Sequence, residues 1–344
     1  MEDKKLKIIV LAGGESGERD VSLESAREIA SSLISTGNSV RVIDTLSGEF
    51  FEESFIHGTE KITSEDYSIP KVAQSQGMGK LIGNLTVARE SGLDVVFNGL
   101  HGGYGEDGTF QALLEFMRIP YTGSPMAASA IAMNKDISKR IMKTLKTPTA
   151  YWKTFETGQQ VVGMVNQITT QFDMPVIIKP VDCGSTVGLS LVEDSGELAS
   201  ALEMAFTASN QIMAESYFSG REITIAVLNG LTLPPVEIKP EHKLYDYTCK
   251  YTKGKSQYFC PADIDNEITE RLSQDAAWLY ETIGCRGYAR VDFIVKDADD
   301  YICLELNTLP GMTELSLFPM AAKEAGISFD ELLVKLCHLA MDKE

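Results

Sequence analysis

Apolar and polar positions follow two periods along this chain, and the places where the period changes locate its elements. Lys7 to Ala12 (KIIVLA) is a nearly continuous apolar run ending in Gly13-Gly14. From Ser22 to Ser35 the apolar residues recur at helical spacing, through Leu23, Ala26, Ile29, Ala30 and Leu33. Strand, glycine turn and helix predict the opening of an α/β unit. Asn38 to Asp44 and Asp94 to Leu100 read as further strands, and Thr109 to Met117 as a helix. Between 47 and 90 no clean period holds, which predicts a long excursion or insertion.

Helical spacing returns from Met126 to Lys146, interrupted near Met133-Asn134-Lys135. Strands are predicted at Thr149 to Phe155, Met174 to Pro180, Leu189 to Val192 and Gln211 to Ser216, with a helix from Glu197 to Ala208. Glu222 to Leu228 and Thr232 to Ile238 form a predicted hairpin about Asn229-Gly230. A polar loop with aromatics, His242 to Gln257, precedes a predicted helix from Asp265 to Ile283, and a last helix covers 329 to 341. No internal repeat or low-complexity tract is present.

The most informative stretch is Tyr288 to Leu317. Val291, Phe293 and Val295 alternate with Arg290 and Asp292; Ile302, Leu304 and Leu306 alternate with Cys303, Glu305 and Asn307. Burying both apolar sets on one side fixes the parity of the pairing, and a loop over 297–300 satisfies it. That register sets Val291 opposite Leu306, Phe293 opposite Leu304, Asp292 opposite Glu305 and Arg290 opposite Asn307. Carboxylates placed directly opposite repel, so a positive charge is expected over them. An all-oxygen set of Asp, Glu and Asn suits Mg²⁺ or Mn²⁺ rather than zinc. A solvated acidic hairpin would show the same alternation.

Totals narrow the classes. A chain of 344 residues with 44% apolar content reads as a globular protein of two or three domains. A net charge of −18 argues against nucleic-acid or anionic-membrane partners. No apolar run is long enough for a transmembrane helix, and the start reads as a strand rather than a signal peptide. Six cysteines without CxxC or metal-type spacing suggest reduced thiols and a cytoplasmic residence. His57, His242 and His338 lack ligand spacing and are read as surface or packing residues.

Two glycine-rich turns compete as nucleotide sites. Gly103 to Gly108 (GYGEDG) fits the GxGxxG pattern of dinucleotide-binding oxidoreductases, an alternative of a different class. Against it, the turn carries Glu106 and Asp107, follows the third strand rather than the first, and lacks the acidic residue expected about 20 residues on. It more readily presents His101 at a strand end. The second turn, Val181 to Gly188 (VDCGSTVG), follows Lys179 at the end of a buried strand, where an ammonium needs an anionic partner. Its amides and hydroxyls could cover phosphates, although a nearby carboxylate around a plain hairpin would satisfy Lys179 equally.

Taken together, GGESGERDVSLESA (13–26), HGGYGEDGTFQ (101–111), MPVIIKPVDCGSTVG (174–188), YDYTCKY (245–251), QYFCPA (257–262), YARVDF (288–293) and LELNTLPGMTELSLFPMAA (304–322) resemble the D-alanine–D-alanine ligases, a family of the ATP-grasp superfamily, over nearly the whole chain. The resemblance implies an α/β (α+β) ATP-grasp fold with three domains. These are a Rossmann-like N-terminal substrate-binding domain (1–124), a central lid domain (125–216) and a C-terminal catalytic domain (217–344), with nucleotide between the last two. It implies ATP-dependent joining of two D-alanines through a D-alanyl phosphate for peptidoglycan synthesis, two Mg²⁺ or Mn²⁺ ions per site, and a homodimer. D-serine or D-lactate as the second substrate is the nearest alternative.

The implied roles fall on matching positions. Glu18 would hold the first D-alanine's ammonium, near His101. Lys135 and Lys179 would meet the phosphates under Ser185 and Thr186 of the lid. Glu215 and Tyr217 would receive the adenine and Glu222 the ribose. Asp292, Glu305 and Asn307 would hold the metals. Arg290 and the Gly311 amide would stabilise the oxyanion, and Ser316 and Leu317 the second substrate's carboxylate. Lys250 and Tyr251 lie on the closing loop, Tyr251 bonding to Ser185 and Glu18. Members making D-alanyl-D-lactate tend to carry Phe or His at that position, so Tyr251 points to an amine nucleophile. The chain departs from the family at Ser216 and Thr186, and 47–90 matches no motif.

Overall fold

A computed structural model describes residues 5–58, 71–240, 256–297 and 300–342. The first layer is a parallel three-stranded sheet, ordered β2-β1-β3, of β1 (Lys7–Ala12), β2 (Ser39–Asp44) and β3 (Val95–Asn98). β1 and β3 are near-continuous apolar runs because both faces of the sheet are covered. Helix α1 (Arg19–Ser35) buries Leu23, Ala26, Ile29, Ala30 and Leu33 on it, the stripe its spacing predicts. The unpatterned 47–90 segment contains a short helix, α2 (Glu53–His57), and a 20-residue one, α3 (Lys71–Glu90). Helix α4 (Thr109–Phe116) follows the 101–108 turn.

Helices α5 (Met126–Met133) and α6 (Lys135–Leu145) meet at Asn134, whose side chain accepts the Ile137 N–H at 3.0 Å and caps α6. The second sheet has the order β4-β7-β5-β6, from β4 (Trp152–Glu156), β5 (Val176–Pro180), β6 (Ser190–Val192) and β7 (Gln211–Ser216). Helices α7 (Val161–Gln171) and α8 (Leu198–Ala208) bury Met164, Ile168, Leu198 and Leu202 against Val176, Ile178, Ile212 and Ala214.

The third sheet is six-stranded: β8 (Arg221–Leu228), β9 (Leu231–Thr232), β10 (Val236–Pro240), β11 (Ser256–Phe259), β12 (Tyr288–Val295) and β13 (Tyr301–Asn307). Helix α9 (Asn266–Ile283) packs on it, and so do Ala128, Ala132 and Met142 of α5 and α6. Helix α10 (Leu317–Glu324) and helix α11 (Phe329–Met341) return the chain to the core of the first layer through Phe318, Leu332, Leu333 and Leu336. A capping box of Ser328 and Glu331 starts α11.

The hairpin register matches its prediction at Val291↔Leu306, Asp292↔Glu305 and Arg290↔Asn307, then departs from it. A bulge after Asp292 sets Phe293 against Cys303 rather than Leu304. The extra residue reverses the parity of β13 beyond it, so Cys303 enters the core and Leu304 is only half-buried.

Candidate active site

Arg290, Asp292, Glu305 and Asn307 share one face of the β12–β13 pair, as residues opposite each other and two apart must. Asp292 is 5% exposed. It accepts Arg290 Nε and Nη2 at 2.8 Å each, and the Thr224 hydroxyl at 2.6 Å. The opposing Glu305 takes its cation from elsewhere, with Lys135 Nζ 3.3 Å away. Positive charge therefore does sit over the paired carboxylates, supplied by protein. Asn307 accepts the Leu309 N–H at 2.9 Å, which turns the chain toward Gly311.

Lys135 is the first residue of α6 and joins two parts of the site. Besides Glu305, its ammonium donates to the Cys183 carbonyl at 2.8 Å, and its backbone N–H to Val181 at 2.9 Å. The glycine-rich loop is thereby tied to the acidic hairpin. Ser185 and Thr186 on that loop both have positive φ, 49° and 59°. For a β-branched threonine this is a strained conformation, of the kind that collects at ligand clamps.

Lys179 is the penultimate residue of β5 and Glu215 lies two residues along β7 from its cross-strand partner Met213, so both project from one face. Lys179 Nζ is 2.6 Å from Glu215 Oε2. The other oxygen contacts Lys139 of α6. Burial alone would push the Glu215 carboxyl up, but the two ammonium groups override it and hold it at about 2. Tyr217 follows β7, half-buried, and Glu222 is the second residue of β8, opposite Ile238 and Ile294.

The first layer supplies the opposite wall. Glu18, 8% exposed, precedes α1 and accepts the Ser185 hydroxyl, joining the glycine-rich loop to the first layer. The 101–106 turn closes on it: Gly102 has φ +66°, and a Cβ there would lie 2.8 Å from Glu18 Oε2. The positive φ is what favours glycine there, and its bare Cα leaves room for the carboxylate. His101 is buried beside it, its Nε2 3.0 Å from the Ser25 hydroxyl, and desolvation lowers its pKa while Glu18 pulls the other way. Glu106 accepts the Gly102 N–H at 2.9 Å, and burial followed by the charge of Glu18 raises its carboxyl to about 7. The GYGEDG turn thus spends its Gly102 amide on its own Glu106 rather than leaving it open to a dinucleotide pyrophosphate.

Gly311, Ser316 and His101 come together: a Cβ on Gly311 would lie 3.0 Å from Ser316 Oγ and 3.8 Å from His101 Cε1. Ser316 is the residue before α10 and bonds to Thr313, with Leu317 buried behind it. The Glu314 N–H donates to Glu28 of α1 at 2.9 Å, fixing this loop to the first layer. A cavity of about 400 Å³ opens at the carboxyl ends of β1, β2 and β3 and shares His101 with the site. Lys250 and Tyr251 lie outside the described residues.

Among the described residues no three His, Cys, Asp or Glu side chains converge as metal ligands. The donor set is two carboxylates plus the Asn307 amide. With Glu305 34% exposed, that set fits a partly hydrated Mg²⁺ completed by phosphate oxygens. Lys139, Glu106, Thr224 and Glu28 are the residues of the site that motif spacing did not reveal.

Comparison with known proteins matches two family models, described as D-ala D-ala ligase N-terminus over residues 7–124 and D-ala D-ala ligase C-terminus over 141–338. A D-alanine–D-alanine ligase of Syntrophotalea carbinolica is 38% identical over 335 residues, covering 97% of this chain and 96% of that protein. One from Aquifex aeolicus is 37% identical over 328 residues, covering 95% and 98%. The Bacillus anthracis D-alanine–D-alanine ligase complexed with ATP superposes with TM-score 0.75 at 28% identity, covering 98% of this chain and 97% of that one. The Coxiella burnetii D-alanine–D-alanine ligase superposes with TM-score 0.78 at 26% identity, covering 98% and 94%.

Proposed function

This chain belongs to the D-alanine–D-alanine ligase family, and from that premise we propose that it joins two D-alanines at the expense of ATP, with its site residues in the following roles. One observation carries the assignment of the site: Lys135 reaches both Glu305 of the acidic hairpin and the Cys183 carbonyl of the glycine-rich loop. A phosphate held by Lys135 would lie under the loop and against the metal carboxylates at once.

In the first step a D-alanine carboxylate oxygen attacks the γ-phosphorus of ATP, giving D-alanyl phosphate and ADP. Lys135 and Lys179 neutralise the crowded phosphate charge, and Ser185 and Thr186 cover it. Glu215 and Tyr217 receive the adenine, and Glu222 the ribose. Mg²⁺ or Mn²⁺, two per site, held by Asp292, Glu305 and Asn307, would add electrostatic stabilisation of the transferring group when bound. Glu18, beside His101, holds the ammonium of the first D-alanine.

In the second step the amine of another D-alanine attacks the acyl carbon, and inorganic phosphate leaves as the amine loses its proton. Arg290 and the Gly311 N–H stabilise the oxyanion, while Ser316 and Leu317 hold the second carboxylate. The contact between Ser185 and Glu18 draws the loop over the first layer and keeps water from the acyl phosphate. Lys250 and Tyr251 belong to the same closure, Tyr251 favouring an amine over D-lactate.

The division into 1–124, 125–216 and 217–344 is part of this proposal, supported by the sheets, each of which falls within one range. The described cysteines are free thiols, which supports a cytoplasmic residence; no helix among the described residues is long and apolar enough to cross a membrane. A homodimer is the assembly the family resemblance implies, to be decided by sizing in solution. Phosphate release is measured with ATP, Mg²⁺ and D-alanine, D-serine or D-lactate, with the product identified by mass. D-Alanyl-D-alanine is expected. Absence of D-alanine-dependent phosphate release would overturn the reading.

A further inference from the structure

The buried side of the site holds two ammonium groups against one carboxylate, an imbalance that the roles above do not explain. Lys139 is fully buried and lies one helical turn after Lys135 on α6. Its ammonium meets Glu215 Oε1, the Thr149 hydroxyl at 2.6 Å and the Ala150 carbonyl at 3.4 Å. One ion pair and two hydrogen bonds hold the group inside the core, so it does not itself reach a ligand. The Thr149 hydroxyl in turn donates to the Cys303 carbonyl at 3.0 Å, which fixes Lys139 to the hairpin sheet as well. Lys179 differs. It stands at the end of β5, where the glycine-rich loop begins, and Glu215 is its sole acceptor among the described residues.

We propose that Lys139 is a positioning residue for the nucleotide: as a second, permanent counter-charge to Glu215, it lets Lys179 leave that carboxylate for the nucleotide phosphates. With Lys179 alone, Glu215 would form a neutral pair. Moving the ammonium to a phosphate would then strand a buried carboxylate, which is strongly unfavourable. With Lys139 in place the carboxylate keeps a partner throughout, and the surplus positive charge is matched by the incoming polyanion. Glu215 also stays fixed for the adenine while Lys179 moves.

This inference rests on the ATP site proposed above, and wild-type turnover run in parallel separates the two: loss of wild-type activity would overturn that reading, not this one. Steady-state phosphate release is measured for Lys139→Gln, which keeps a donor for Thr149 without the charge, and for Lys139→Arg, which keeps the charge. Lys139→Gln is expected to raise the KM for ATP about tenfold with the KM for D-alanine within twofold of wild type. Lys139→Arg is expected to restore at least half of that loss on a logarithmic scale. A rise in ATP KM below threefold, a parallel rise in D-alanine KM, or no recovery in the arginine variant would overturn the proposal. A purely structural lysine would lower the melting temperature without splitting the two KM values. Should Lys139→Gln not fold, Glu215→Gln is compared with the double variant Lys139→Gln/Glu215→Gln. With no carboxylate to compensate, adding the second change should leave the ATP KM within twofold or lower it. A larger rise would overturn the proposal.

Discussion

Asp292 and Glu305 stand opposite each other across the β12–β13 ladder, yet each carboxylate draws on a different element for its cation. Arg290, two residues away on the same strand, grips Asp292 with two nitrogens, whereas Lys135 reaches Glu305 from helix α6. The two are also unequal in exposure: Asp292 is buried and Glu305 is not. Asp292 therefore belongs to the framework of the site, and Glu305 is the more open to an incoming cation.

Glu305→Gln should then separate activity from stability. Its ion pair with Lys135 is partly exposed, and such pairs contribute at most about 1 kcal/mol. The variant should melt within a few degrees of wild type while Mg²⁺-dependent turnover is abolished. Near-wild-type turnover across a Mg²⁺ titration would remove Glu305 from the metal site.

Glu215→Gln should behave in the opposite way, because it strands Lys139 in the core. Removing one partner of a buried pair costs roughly 3–5 kcal/mol, to be read from denaturant unfolding at pH 7. Acid tolerance gives a second check. The Glu215 carboxyl is held at about 2 against an ordinary 4.5, so its contribution is complete above about 4.5 and is lost as pH falls through about 2. The stability gap between wild type and Glu215→Gln should shrink across that window, and a constant gap would mean that the carboxylate is not what the lysines stabilise.

How much of this was legible in the sequence depends on whether a residue's partners follow from local spacing. The Asp292–Glu305 pairing did, since alternation fixes parity; for Lys179 the need for an anionic partner was legible, because a buried strand cannot end in an unpaired ammonium, but not that Glu215 supplies it. The bulge after Asp292 did not: no glycine marks it, and Leu304 fits the alternation as well as its neighbours do. Lys139 sits in KDISKR, which reads as the polar face of a surface helix, and Glu215, the partner that justifies its burial, is on a distant strand. Helix α3 escaped notice because Gly77, Gly79 and Gly83 depress helix propensity. Gly77 has a tertiary reason to be glycine, since a Cβ there would lie 1.8 Å from the Leu46 carbonyl oxygen. The resemblance to a ligase family supplied roles that no single motif could.

Ser185→Ala tests the closure between the glycine-rich loop and the first layer. The Ser185 hydroxyl donates to the Glu18 carboxylate across that gap, and a hydrogen bond to a charged group contributes about 1.5–3 kcal/mol. If the contact is tighter in the catalytic arrangement than at rest, kcat/KM for D-alanine should fall by up to roughly 10- to 100-fold, more than any loss of folding stability accounts for. An unchanged kcat/KM would make the contact incidental to closure.

Glu106 makes a pH prediction of opposite sign to Glu215. Burial and the neighbouring charge of Glu18 raise its carboxyl from 4.5 to about 7. The folded protein therefore holds this proton between about 4.5 and 7 while the unfolded chain releases it. The stability contributed by the neutral acid is complete below about 4.5 and is lost as pH rises through about 7. The shift corresponds to a cost on the order of 3 kcal/mol above that pH. Glu106→Gln is neutral at every pH and keeps an oxygen to accept the Gly102 N–H, so it should match wild type at pH 4.5 and exceed it at pH 8. Denaturant unfolding at the two values reads the difference directly. A variant no more stable than wild type at pH 8 would mean that Glu106 carries its charge at no cost, and that the turn between His101 and Gly108 is better solvated than its burial indicates.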